Sequence, residues 1–461
     1  MDQTDTFDPE LCAKLHNEIL EIGWEAAYHE LGFEQAAPST WWDRHGEECE
    51  TSGVAARLTP QVIQFLKLAR EIEPQLCNFE TGYANFFYYI SGLAPPSELL
   101  VDEAMFGSGI IRLYYVTGLE SHPFGVILNQ NTFRVQAVYS LTMHDEQTPW
   151  ISLQSLLGGY LDMIRLGKIT AGEEESDSDE KPQRPWVLHS HSEQVLDRTV
   201  EAFASLLKAI QDRMPSVESI SDDIPAKAQA IDQAISLLFP TTRATFVFKL
   251  LRKIRDLVAS ASPHLRFIAP GIRILNSDDL MKQPYQKIDF HKSIYNNPIL
   301  ILPAEESDGT KAVTPRFDHY RNPFPRPYSN ARSLYDCGLW ISESRFDSAE
   351  FDDQCRLVLP QSATGSLDTD AVHYARSTDG VLLDSRDGPG FNTGLYQTKV
   401  NPFISRNHDV ELFRVLENWV ELVESGVWQV DENGVAGGIE KWREADRDEE
   451  KSLKYRIPLT W

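Results

Sequence analysis

Leu11, Leu15, Ile19 and Ile22 recur at three- and four-residue spacing behind Asp8-Pro9, which predicts an amphipathic helix near the start of the chain. Asp8 can accept from the first free backbone N–H groups, and Pro9 suits the first helical position because its missing N–H would go unpaired anyway. Gly23 is the expected break. A second helical pattern covers Thr59–Leu76. From Gly107 to Thr142 the period changes: GIIRLYYVTG and PFGVILNQNTFRVQAVYSLT are rich in the β-branched and aromatic residues that suit a pleated surface. Helical spacing returns over Trp150–Gly167.

After an interruption, Leu196, Val200, Phe203, Leu207 and Ile210 line one helical face, with Ser190-x-x-Glu193 as the expected capping box. Helical spacing continues over Lys227–Ala259. Beyond Pro263, RFIAPGIRIL, NPILILPA, SLYDCGLWISES, CRLVLPQ and DGVLLDSR read as short strands between Pro/Gly/Asn-rich loops. A last helix covers His408–Glu424, with Gly426 just past its end. Helices and strands come in blocks and not in βαβ alternation, so the expected class is α+β, an irregular α/β fold being the alternative.

The interruption is Ala171–Pro185, AGEEESDSDEKPQRP, an acidic stretch without apolar groups that cannot join a core. It suggests an N-terminal α+β region over 1–170, an acidic flexible loop or linker over 171–186, and a helical then strand-rich region over 187–461, packed with the first region or separate from it. A chain of 461 residues has room for two or three domains at ~100–200 residues each.

Charge changes the picture more than composition does. The net charge is −26, which repels nucleic acid and anionic membrane in bulk. Yet between Thr241 and Asn276 the cations Arg243, Lys249, Arg252, Lys253, Arg255, Arg266 and Arg273 face one acid, Asp256. Lys249, Arg252 and Lys253 share a helical face, and clustered cations gain phosphate affinity by releasing counterions. Lys249, Arg252, Lys253 and Arg255 are therefore the RNA-binding candidates, against a solvated helix face that balances acids elsewhere. A second island, Lys311–Arg332, carries Arg316, Arg321, Arg326, Tyr328 and Arg332 among further aromatics and prolines. Arginine forks hold phosphate and aromatic faces stack on unpaired bases, so these five are substrate-binding candidates. A loop clamped by its own ion pairs is the alternative.

Carboxylates at strand ends offer acid–base chemistry or a fork for a guanidinium. The catalytic candidates are Asp278 and Asp279 after RFIAPGIRILNS, Glu305 and Glu306 after ILILPA, and Asp318 and His319 within the second island. Other acid pairs, Asp352-Asp353 among them, read as solvated turns. Ser362 and Ser366 in LPQSATGS are possible acyl acceptors against a plain Ser/Gly turn. His144-x-Glu146 at a strand end, with His189 or His191 as a second imidazole and Arg198 for an oxo-acid, has the spacing of a non-haem iron triad. No P-loop, dinucleotide fingerprint, nucleophile elbow or H-E-x-x-H occurs. The five cysteines are odd in number, lack any C-x-x-C and suit a reducing compartment. MDQTDTFDPE has no signal-peptide character and no run of ~18 apolar residues exists, so a cytoplasmic chain outside the membrane is expected.

Four stretches, PWISLQSLLGGYLDMIRLGKITA, SEQVLDRTVEAFASLLKAIQDRMP, RFIAPGIRI and GVWQVDENGVAGGIEKWREAD, together resemble the fungal arginine-containing cyclodipeptide synthases of secondary-metabolite clusters. The resemblance implies an enzyme that takes arginine from arginyl-tRNA and a second amino acid from another aminoacyl-tRNA, and joins them as a diketopiperazine. It implies no cofactor, since the esters are already activated. The basic helix would then meet the acceptor stem, the second island the 3′ end and an acid pair the arginine side chain. An iron oxygenase of secondary metabolism and a non-catalytic partner-binding protein are the alternatives that the residues leave open.

Overall fold

The computed structural model describes residues 7–27, 30–77, 83–87, 90–101, 103–116, 125–138, 150–172, 184–215, 224–239, 245–285, 297–305, 311–313, 334–343, 351–358, 410–444, 454–455 and 457. Helices and small, mainly antiparallel sheets follow one another in blocks, an α+β fold as the pattern predicts. The described residues divide into two compact units, the first ending at His189 and the second beginning at Ser190.

In the first unit, helix α1 (Pro9–Ala27) starts where expected: Asp8 Oδ1 accepts from the N–H groups of Glu10 and Leu11, both at 3.0 Å. Gly23 does not end it. A Cβ there would stand 2.8 Å from the Trp186 ring, so Gly23 gives α1 close passage past that indole. Helices α2 (Phe33–Ala36) and α3 (Trp41–Thr51) follow, the latter capped by Thr40 and Asp43. The helix expected over Thr59–Leu76 shrinks to α4 (Pro60–Leu66). Beyond it the backbone is used in tertiary bonds: Trp41 N–H donates to Ala69 O, and Glu73 N–H to Ala36 O.

Short helices α5 (Pro96–Leu99) and α6 (Glu103–Phe106) flank a five-stranded antiparallel sheet. Its strands lie in chain order: β1 (Ile90–Leu93), β2 (Ile110–Val116), β3 (Gly125–Asn129), β4 (Arg134–Val138) and β5 (Ile151–Ser152). Helix α7 (Leu153–Arg165) buries Leu156, Leu157, Tyr160 and Leu161. Each such side chain contributes roughly 1.5–3 kcal/mol when removed from water. Strands β6 (Ile169–Ala171) and β7 (Trp186–Leu188) pair Ile169 with Leu188. Both flanks of the acidic stretch thus belong to one hairpin of the first unit.

The second unit opens with α8 (Glu193–Gln211), whose cap is Ser192: its hydroxyl accepts from Val195 N–H at 3.0 Å. The box expected from Ser190 does not form: the cap is two residues further on, the third residue of the helix, Val195, has no polar side chain to return the bond, and the Ser190 hydroxyl lies 3.3 Å from His191 Nδ1. The expected Lys227–Ala259 pattern resolves into α9 (Ile224–Leu238) and α10 (Phe246–Ser260), with Pro240, which cannot donate to a helix, between them. Strands β8 (Phe267–Ala269) and β9 (Ile272–Arg273) form a hairpin about Pro270-Gly271, and α11 (Ser277–Met281) follows. Strand β10 (Asn297–Pro303) pairs with β13 (Gly338–Glu343), which pairs with β14 (Cys355–Val358); β11 (Lys311–Val313) and β12 (Leu334–Asp336) form a separate pair. The Gln283 amide stands in for a neighbouring strand, accepting from Leu300 N–H and donating to Leu300 O.

Helix α12 (Leu412–Glu424) packs on α8, and β15 (Val430–Asp431) and β16 (Gly434–Val435) then turn back to β8, where Gly434 pairs in parallel with Phe267. Trp442 Nε1–H donates to Pro270 O at 2.8 Å. Two of the four stretches behind the family resemblance, RFIAPGIRI and GVWQVDENGVAGGIEKWREAD, are therefore packing partners, and the other two contain the core helices α7 and α8. No helix among the described residues is long and apolar enough to cross a membrane.

Candidate functional site

The hydrophobic stripes of α8 and α10 set these helices side by side, which aligns their polar flanks. The result is a ladder of opposite charges. Lys249 Nζ lies 2.7 Å from Glu193 Oε1, and Lys253 Nζ lies 2.5 Å from Asp197 Oδ1 and 3.7 Å from Glu193 Oε2. On the other flank Arg255 bridges Asp232 of α9, at 2.5 Å, and its neighbour Asp256, at 2.9 Å. Hydrogen bonding from Lys249 lowers the Glu193 carboxyl, the contact with Asp197 raises the Lys253 ammonium, and Arg255 lowers Asp256. Of the four RNA-binding candidates, Lys249, Lys253 and Arg255 are thus matched by carboxylates that lie far away in sequence or just outside the helical face first considered. Arg252 differs. It is exposed, lies 5.2 Å from the Phe248 ring centre and has no carboxylate partner among the described residues.

Lys249 also belongs to a second, buried arrangement. His191 Nε2 is 3.1 Å from its Nζ, and His191 Nδ1 is 2.9 Å from Asp352 Oδ1. An ammonium has donors only, so Nε2 accepts, Nδ1 carries the ring proton, and Asp352 receives it. Asp352 is 2% exposed, not a solvated turn residue. Its Oδ2 accepts from Phe246 N–H, the first amide of α10, at 3.2 Å, where the helix dipole favours an anion. Its own N–H donates to Ser190 O at 2.9 Å. The ring edge of Phe246 closes on the imidazole. A buried carboxylate therefore orients an imidazole, the imidazole meets an ammonium, and the ammonium meets Glu193, which is 61% exposed. This inside-to-surface chain can hold and move a proton.

The remaining candidates fall elsewhere. Asp279 accepts from Arg273 at 3.0 Å and from Asn276 Nδ2 at 2.6 Å, so its carboxylate locks the start of α11. Asp278 beside it is exposed. Glu305 holds Arg266 at 2.6 Å. The forks expected for a substrate guanidinium are thus filled, at Asp279 and Glu305, by the chain's own arginines. Arg198, expected for an oxo-acid, is bidentate to Glu417 at 2.7 and 3.0 Å and lies over Phe413. His189 Nε2 bonds the Thr170 hydroxyl at 2.8 Å. Glu306, Arg316, Asp318, His319, Arg321, Arg326, Tyr328, Arg332, His144, Glu146, Ser362 and Ser366 lie outside the described residues, within which no group of three His, Cys, Asp or Glu is arranged for a metal ion.

A cavity of about 20 Å³ lies among Phe203, Leu250, Ile254, Ile301, Leu412 and Leu416. It is apolar and holds about one water's volume, a packing void of the helix layer and not a substrate pocket. No family model, no curated protein and no solved structure matches the chain.

Proposed function

We propose that the chain joins two amino acids, arginine being one, from aminoacyl-tRNAs into a diketopiperazine in the cytoplasm, with Asp352, His191 and Lys249 as its proton-handling site. The observation that carries this reading is the hydrogen-bonded chain from the buried Asp352 through His191 to Lys249. Aminolysis of an ester requires a proton to leave the attacking amine and another to reach the departing oxygen, which a chain of this kind supplies without a cofactor. The substrate class comes from the resemblance of the four stretches.

In this reading Arg252 is the α10 cation open to a tRNA phosphate. The acceptor end falls to Arg316, Arg321, Arg326, Tyr328 and Arg332. Among the described residues, a substrate guanidinium must either exchange with Arg273 or Arg266 for a carboxylate or use the exposed Asp278.

Expression in a heterologous host, with the medium and cells searched for diketopiperazines by mass spectrometry, tests the reading. An arginine-containing diketopiperazine that appears with the wild-type chain and fades with His191→Ala is expected. Its absence while soluble protein accumulates counts against the reading.

A further inference from the structure

Resting on the reaction proposed above, we infer that Lys249 is the residue that touches the substrate and shuttles its proton, and that His191 and Asp352 act through it as positioning residues. Both nitrogens of His191 are engaged, Nδ1 by Asp352 and Nε2 by Lys249, and its side chain is only 10% exposed. The imidazole has no free edge to offer a substrate. Lys249 does. Its ammonium carries three donors. One is directed to His191 Nε2 and one to Glu193 Oε1; the third has no acceptor among the described residues, and the side chain is 31% exposed.

The arrangement suits one exchange. The neutral α-amine of one aminoacyl ester attacks the carbonyl carbon of the other. A C–N bond forms, the C–O bond to the ribose breaks, the nitrogen loses one proton and the ribose oxygen gains one. Lys249 gives its third proton to the departing oxygen and, as the amine, takes the proton the nitrogen sheds. His191 Nε2, accepting from Nζ, and Asp352, accepting from Nδ1–H, hold the lysine in place through the exchange. Ring closure on the remaining ester repeats the same balance. Glu193 opposite holds the lysine ammonium at the protein surface.

Two readouts on the full chain test this. The first needs no turnover: acylation of Lys249 by an N-hydroxysuccinimide ester at pH 8, followed by peptide mass spectrometry. Because the acceptor imidazole helps hold the protons on Nζ, labelling of Lys249 rises severalfold in His191→Leu relative to wild type. Equal rates in the two proteins overturn the assignment. The second is diketopiperazine yield, which falls about 100-fold or more in Lys249→Met and in Lys249→Arg alike, because arginine keeps the charge and the Glu193 contact but holds its protons. Recovery in Lys249→Arg overturns the shuttle. A wild-type chain that forms no diketopiperazine refutes the reaction and leaves the labelling result to judge Lys249 alone.

Discussion

At the scale of single residues, two histidines in comparable burial do different things because their neighbours differ. His191 has a carboxylate on one side and an ammonium on the other. His16, 2% exposed in the first unit, lies between two groups without charge: its Nε2 faces Arg70 O at 2.9 Å and its Nδ1 faces the Tyr114 hydroxyl at 3.0 Å. A carbonyl only accepts, so Nε2 carries the proton and Nδ1 receives the Tyr114 O–H. Phe86 stacks on the ring at 4.4 Å. Burial lowers this imidazole from 6.5 to about 4, the bond to Arg70 opposing the shift. The unfolded chain therefore takes up a proton near pH 6.5 that the folded chain refuses until about pH 4. Stability is lost as pH falls through that window, by roughly 3 kcal/mol from this residue, and is flat in its contribution below it. Urea unfolding at pH 7, 5.5 and 4 checks this: the His16→Gln protein, which keeps one donor and one acceptor, should show a shallower decline than wild type. Parallel declines contradict it. Neither histidine's role was legible in sequence, since each depends on partners that lie far along the chain: Tyr114 and Arg70 for one, Asp352 and Lys249 for the other.

At the scale of elements, hydrophobic spacing located α1, α7, α8 and α12 because a buried stripe repeats within a few residues of itself. It overran α4, whose continuation is claimed by tertiary hydrogen bonds of Ala69 and Glu73, and it merged α9 with α10. The charge of α10 was legible, but its use was not. Counting along the chain showed seven cations against one acid, Asp256; only the packing of α8 and α9 against α10 supplies Glu193, Asp197 and Asp232. The turn between β8 and β9 is tightly constrained. Gly271 has φ +70°, and a Cβ there would stand 2.4 Å from the backbone nitrogen of Ile439. Gly271→Ala should cost roughly 2 kcal/mol or more, from strain and from separation of the turn that Trp442 seals. A thermal melt of the variant within a degree of wild type sinks that expectation.

At the scale of the whole molecule, the four stretches on which the proposed substrate class rests are those that build cores: α7, α8, and the packed pair formed by the β8–β9 hairpin and the segment after α12. They speak for architecture, while the hydrogen-bonded chain is assembled from Ser190–Glu193, Lys249 and Asp352, which no single stretch contains. The acids expected to grip a substrate arginine were legible as carboxylates at strand ends, but their own arginine partners, Arg266 and Arg273, were read only as part of a basic run. The net charge remains −26, and within the second unit most α10 cations are neutralised locally, leaving Arg252 as the one without a carboxylate partner among the described residues.

In the proposed function the Asp352–His191–Lys249 chain drives amide formation between amino acids supplied on tRNA. Its most direct test is reconstitution with purified full-length protein, arginyl-tRNA and a panel of second aminoacyl-tRNAs, without ATP, read by mass spectrometry alongside Asp352→Asn and His191→Gln. An arginine-containing diketopiperazine is expected with wild type, and a loss of about 100-fold or more in rate in both variants while their folding is retained. A product formed equally well by both variants, or none formed by the folded wild-type chain with any pair of charged tRNAs, would contradict it.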